Sequence, residues 1–192
     1  MALARRKSKN ISLRPIFYFA VEGACTEVDY LQNLQRIYNV VFKPIPYSHR
    51  DPRHLRDAMK RFIKRGSSTL DDYFLIMSDR DAWELSEIKI SWEWANEDPS
   101  RRFFIFSNPC FELWLLRHYE SGSGASTYEI CHRRLSGCTP LLTGKSIPRD
   151  LFSWEDIQKA CQFSKKHRDW KRPGFTNVHT LIDLLDKKYR AI

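Results

Sequence analysis

The sequence predicts an α/β fold, a largely parallel sheet flanked by helices with a helical C-terminal part, and three observations carry that expectation. Short aromatic and branched runs at Phe17–Val21, Tyr73–Ser78 and Phe103–Phe106 are each followed by Gly, Ser, Asn or Pro, the pattern of buried strands. Helical periodicity fills the intervals between them as far as Tyr119, and strand alternating with helix favours parallel pairing through crossovers. From Tyr128 onward only helical and loop-like patterning remains. With 192 residues, one well-cored domain is expected.

Residues 1–13 are basic, polar and without periodicity, and are read as a disordered leader. The first strand, Ile16 to Val21, runs into Glu22-Gly23. A helix follows from Thr26, its expected N-cap, with Val28, Leu31, Leu34, Ile37 and Tyr38 as the apolar stripe and Glu27 and Asp29 favourable in the first turn. Val40 to Pro46 suggests a second strand with an irregular end at its prolines. Pro52 to Arg65 places Leu55, Met59, Phe62 and Ile63 on one helical face and Arg53, Arg56, Lys60, Arg61, Lys64 and Arg65 on the rest. That basic stripe is either a solvated face or a phosphate contact through Arg56 and Lys60. The central strand is Tyr73 to Ser78, followed by a helix from Trp83 to Glu97 and a strand from Phe103 to Phe106. A helix over Pro109–Tyr119 is expected to be capped by Asn108, with Pro109 at its first position. Later helices are placed around Tyr128–Leu135, Trp154–His167 and Val178–Tyr189, the last capped by Asn177.

Composition narrows the class. A 42% hydrophobic fraction excludes a disordered chain, and 29% charged residues suit a soluble surface. Lys and Arg number 32 against 23 Asp and Glu, a formal charge of +9 spread over both halves. A basic surface around an acidic pocket suits a polyanionic substrate, because the field gathers phosphates while carboxylates hold a metal; ordinary surface lysines are the bland alternative. Five cysteines without a CxxC pair fit a reducing, cytoplasmic setting, and the Cys131-His132…Cys138 spacing matches no common zinc motif. Neither a signal peptide nor a membrane span is expected.

The chemistry gathers at strand ends. Glu22, Asp79, Asp81 and Glu112 follow the strand runs, and ligands of parallel sheets collect beyond the strands' carboxyl ends. Asp79 and Asp81, two apart, point the same way if the chain stays extended and would clamp a hard divalent ion; the other reading is a turn in which an Asp caps the next helix and Arg80 neutralises it. Glu22 is a metal ligand, a general base or a helix-start acid, with Gly23 supplying permissive torsions. Glu112 is also explained by the positive end of a helix macrodipole. Lys145, in Thr143-Gly-Lys-Ser, is the first candidate to neutralise a leaving oxygen, but Thr139 stands where a phosphate loop needs its first glycine, so there is no Walker A motif. His179 is either structural or a donor to phosphate.

Glu22-Gly-Ala-Cys-Thr26-Glu27, Asp79-Arg-Asp81 and Ser107-Asn-Pro-Cys-Phe-Glu112-Leu-Trp, in this order and spacing, resemble the RloB-like family, with Thr176-Asn177-Val178-His179 similar to its closing motif. The resemblance implies a TOPRIM-like sheet over residues 14–192, with Glu22 as the isolated acid and Asp79 and Asp81 as the paired acids around Mg²⁺ or Mn²⁺. It further implies metal-dependent cleavage of RNA or DNA in prokaryotic anti-phage defence or abortive infection. Nucleic-acid contacts are expected from Arg56, Lys60, Arg80 and His179, and an AAA-type or ABC-type ATPase is the expected partner, with self-association open. The alternative is a non-catalytic subunit that binds nucleic acid or an ATPase.

Overall fold

The computed structural model describes residues 14–66, 68–80, 83–142 and 146–189. Four parallel strands, β1 (Ile16–Val21), β2 (Val41–Pro44), β3 (Tyr73–Asp79) and β4 (Arg102–Asn108), are joined by crossover helices α1 (Thr26–Tyr38), α2 (Pro52–Lys64) and α3 (Leu85–Asn96). Beyond β4 come α4 (Glu112–Leu116), α5 (Tyr128–Cys138), a 3₁₀ turn at Pro140–Leu142, α6 (Trp154–Ser164), the two-residue strand β5 (Phe175–Thr176) and α7 (Val178–Tyr189). The sheet order is β2-β1-β3-β4-β5, with β5 antiparallel to β4. The expected α/β class, with helices on the sheet and at the C-terminus, is what the chain adopts. The leader falls outside the described residues.

Period-two alternation divides the sheet into two apolar faces. Phe17, Phe19, Val21, Leu75, Met77 and Ile105 pack with Leu31 and Leu34 of α1, Trp114 of α4 and Leu181 of α7. Tyr18, Ala20, Phe74, Ile76, Phe104 and Phe106 pack with Leu55 and Met59 of α2 and Ile88 and Trp94 of α3. Each Val, Leu, Ile, Phe or Met among them taken fully from water contributes about 1.5–3 kcal/mol. β3 lies between β1 and β4, so it is buried on both faces, and its register sets Met77 against Val21 and Asp79 against Ser107.

Three expected caps are corrected. Thr26 is the first helical residue of α1, and Cys25 precedes it without a side-chain cap bond. Asn108 caps nothing: its carbonyl accepts from the Gly174 N–H (2.8 Å) and its side-chain amide donates to the Trp170 carbonyl (3.2 Å), which commits it to the β4–β5 edge and leaves α4 five residues long. Asn177 stands before α7, but its amide faces β4 instead, accepting from Phe106 N–H (2.7 Å) and donating to the Phe104 carbonyl (2.9 Å).

His118, just past α4, is fully buried against Phe152 and Trp114. Its Nδ1 lies 3.0 Å from the Trp114 carbonyl, which can only accept, so Nδ1 carries the proton and Nε2 accepts from the Tyr30 hydroxyl (3.2 Å). Burial pushes its pKa down to about 4, below the unfolded value near 6.5. The unfolded chain therefore binds a proton that the folded one refuses, so this contribution is complete above pH 6.5 and is lost as pH falls toward 4. Between pH 7.5 and pH 5 the loss is about 2 kcal/mol. Urea denaturation at both values is expected to show that difference between wild type and His118→Gln; equal pH slopes for the two proteins would mean that His118 titrates normally.

Candidate carboxylate site

The first turn of α1, the carboxyl end of β3 and the start of α4 set Glu27, Asp79 and Glu112 close enough for their charges to interact, with Glu22 at the end of β1 acting on them more weakly. Glu22 continues β1 by one residue, its N–H donating to the Met77 carbonyl (3.1 Å). Alternation then aims its side chain to the α2 and α3 side of the sheet. There Oε2 accepts from the Ser78 hydroxyl (2.6 Å) and the Asp79 N–H (3.2 Å), while Oε1 accepts from the Trp83 indole (2.7 Å). The carboxylate is thus held at fixed orientation across two strands.

Asp79 ends β3 and faces the other side, where its Oδ2 accepts from the Phe111 N–H (3.1 Å). Burial, and then the negative charges of Glu27 and Glu112, hold its pKa well above the usual carboxylate range; the Phe111 N–H opposes this and Glu22 adds to it. Glu112 is the first residue of α4.

Glu27 is the site residue that sequence reasoning passed over, assigning it only a helix-start role. It is 5% exposed, its Oε1 accepts from the Gly23 N–H (3.2 Å), and its pKa is raised to about 7. Burial is the main cause, opposed by its bonds to backbone N–H groups and reinforced by Glu112 and Glu22. Gly23 makes room for it: a Cβ there would lie 1.7 Å from Glu27 Oε2. Any side chain at position 23 would push the Glu27 carboxylate out of this place, and Gly23 is not among the positive-φ glycines, which corrects the expectation of special torsions. The signal in the sequence was the glycine four residues before a glutamate at a strand-to-helix turn.

Other expected residues fall differently. Asp81 and Lys145 lie outside the described residues. Arg80 stays beside the acids, its N–H shared between the Ser107 (2.9 Å) and Pro109 (3.2 Å) carbonyls and its guanidinium donating to the Trp83 carbonyl. Arg56 is not on a solvent-facing stripe: it is 8% exposed, on the same face of α2 as Leu55 and Met59, with Asp57 as its ion-pair partner (3.3 Å). Lys60 is exposed. His179, half-buried at the start of α7, is pushed below its ordinary pKa by burial, and the charges acting most strongly on it are Asp183, Lys165 and Arg117.

Among the described residues, no three His, Cys, Asp or Glu side chains are arranged to hold a metal ion. The chemistry of the donors nonetheless suits a hard divalent cation: all are carboxylates, and two of them resist ionisation, first because they are buried and then because negative charge accumulates where they meet. Nor is any helix among the described residues long and apolar enough to cross a membrane.

No curated protein and no solved structure matches the chain. The family model described as RloB-like protein matches residues 17–185, so the chain that gathers these acids belongs to the RloB-like family.

Proposed function

We propose that this chain is a TOPRIM-like, metal-dependent nuclease that hydrolyses phosphodiester bonds as an effector of anti-phage defence, working beside a partner ATPase. The observation that supports this reading most directly is the meeting of Glu27, Asp79 and Glu112 at the carboxyl ends of parallel strands, with Glu22 acting on them more weakly, in a chain of net charge +9. Asp79 would hold Mg²⁺ or Mn²⁺ together with Asp81, and Glu22, whose carboxylate leaves the sheet on the opposite side, would join them as a ligand by turning toward Asp79. When bound, such an ion polarises a phosphate oxygen and makes water a better nucleophile at neutral pH.

The chain's own residues do the rest. Ser78, the Asp79 N–H and Trp83 keep Glu22 from turning toward solvent, and the Phe111 N–H aims Asp79. Glu27, with a pKa near 7, exists in both protonation states at working pH, which is what proton transfer to or from a reacting oxygen demands. Lys145 is the proposed cation for the leaving oxygen.

The test pairs calorimetric titration of Mg²⁺ and Mn²⁺ with a cleavage assay on labelled RNA and DNA, with and without EDTA. Metal binding and EDTA-sensitive cleavage are the expected results. Absence of metal binding even with nucleic acid present, and no cleavage, would overturn the nuclease reading in favour of a non-catalytic binding subunit.

A further inference from the structure

A second feature lies one element away from the acids. Between α3 and the segment that leads into β5 is a cleft of about 480 Å³, a size that accommodates a small organic group. Its walls include Leu85, Lys89 and Trp92 of α3, with Trp170 and Lys171 opposite. Both indoles rest on the aromatic face of β4. Trp92 meets Phe104 edge-on (5.2 Å between centroids, 89°), and Trp170 meets Phe106 in the same way (6.2 Å, 79°). The Trp170 carbonyl is also tied to the Asn108 amide. The rings are therefore set in place before any ligand arrives, so little side-chain freedom remains to be lost on binding.

The surroundings are basic. Residues 165–172 read Lys-Lys-His-Arg-Asp-Trp-Lys-Arg, and all but the half-buried Trp170 are exposed. Lys165 is paired with Asp183, Arg172 with Asp169 and Lys89 with Glu93. The Lys171 ammonium stands 5.7 Å from the Trp170 ring centre and Lys166 5.7 Å from that of Phe163, neither neutralising the local charge. Fixed aromatic faces inside a field of cations suit unpaired bases joined by phosphates. A duplex hides its base faces, and a purely anionic surface gains nothing from the indoles.

Two chain links connect the cleft to the acids. Trp83, the donor to Glu22, lies two residues before Leu85, and Asn108, the anchor of Trp170, follows the Ser107 that pairs with Asp79. We infer that the Trp92–Trp170 cleft is a base-stacking subsite for single-stranded nucleic acid, with Lys171 and its basic neighbours holding the flanking phosphates. For the use made of that strand the inference rests on the nuclease reading; for binding it stands alone.

Binding is measured in EDTA, where no metal-dependent cleavage occurs, by fluorescence anisotropy of a labelled mixed-sequence single strand and of the same sequence as a duplex. Trp170→Ala is expected to weaken single-strand binding about 5- to 150-fold, the range for one lost base stack, and to change duplex binding little. Trp170→Tyr, which keeps an aromatic face, is expected to recover most of the affinity. The exposed Lys171→Gln, which leaves the β4 packing untouched, is expected to lower the salt slope by about one counterion and provides the test should Trp170→Ala fail to fold. Single-strand affinity unchanged in Trp170→Ala, duplex binding weakened equally, or Lys171→Gln with wild-type affinity and salt slope would each overturn the inference. Tryptophan-dependent binding in a protein that cleaves nothing with metal would leave the subsite standing and remove the nuclease reading alone.

Discussion

Asp79→Asn is expected to lower metal-dependent cleavage by about three orders of magnitude, equivalent to roughly 4 kcal/mol of lost transition-state stabilisation. The same change is expected to make the metal-free protein more stable at pH 8. Both expectations follow from one property of the residue. Asp79 resists ionisation because it is buried and because Glu27, Glu112 and Glu22 surround it with negative charge. A carboxyl whose folded pKa is raised binds its proton more tightly in the folded chain than in the unfolded one. Its contribution to stability is thus complete below the unfolded value near 3.8 and declines as pH rises through the raised folded value. Asparagine keeps an oxygen to accept from the Phe111 N–H but carries no charge, so the advantage of the variant grows with pH. A metal ligand that strains the apo protein and is required for turnover gives this opposed pair of effects, whereas an ordinary structural aspartate gives a loss of stability. The measurements are urea denaturation at pH 5 and pH 8 in EDTA and initial cleavage rates in Mg²⁺. A variant that is less stable than wild type at pH 8, or that cleaves at the wild-type rate, would rule out this account of Asp79.

How far such chemistry is legible in sequence depends on what each residue is recognised by. β1, β3 and β4 were readable because aromatic and branched residues run without interruption where a parallel strand is buried on both faces. β5 was not, since two residues carry no period and its position is set by the Asn177 amide, a contact between residues 71 and 73 apart in the chain. Glu22, Asp79 and Glu112 stood out by following strand runs. Glu27 was hidden by an adequate local explanation, because an acid in a helix's first turn needs no other partner. Arg56 shows the opposite error: counted with a basic stripe by its charge, it sits beside Leu55 and three residues before Met59, positions that place it on the buried face.

Asn177→Asp is expected to cost about 2–4 kcal/mol at pH 7.5, among the largest losses available from a single polar substitution that conserves shape. The Asn177 amide works as a piece of strand. Its Oδ1 accepts from Phe106 N–H and its Nδ2 donates to the Phe104 carbonyl, while its own N–H reaches the Phe106 carbonyl at 3.3 Å, so one residue completes the edge of β4 where no further strand pairs among the described residues. Aspartate can still accept from Phe106, but it has nothing to donate to Phe104, and it sets an ionised oxygen beside that carbonyl in a position only 6% exposed. Protonation restores the missing donor. The penalty relative to wild type is therefore expected to shrink as pH falls, with the new carboxyl titrating above its unfolded range, a dependence that Asn177→Ala lacks because it removes both bonds at every pH. Comparing urea midpoints of the two variants with wild type at pH 7.5 and pH 5 separates these cases and cancels the His118 contribution common to all three. Loss of less than about 0.5 kcal/mol in Asn177→Asp at pH 7.5 would mean that the amide does not bridge β4. The position also matters to the nucleic-acid reading, because β5 and Trp170 are anchored to the same strand end through Asn108: if the edge of β4 loosens, the stacking platform should lose affinity for the single strand before the carboxylates on β1 and β3 are disturbed.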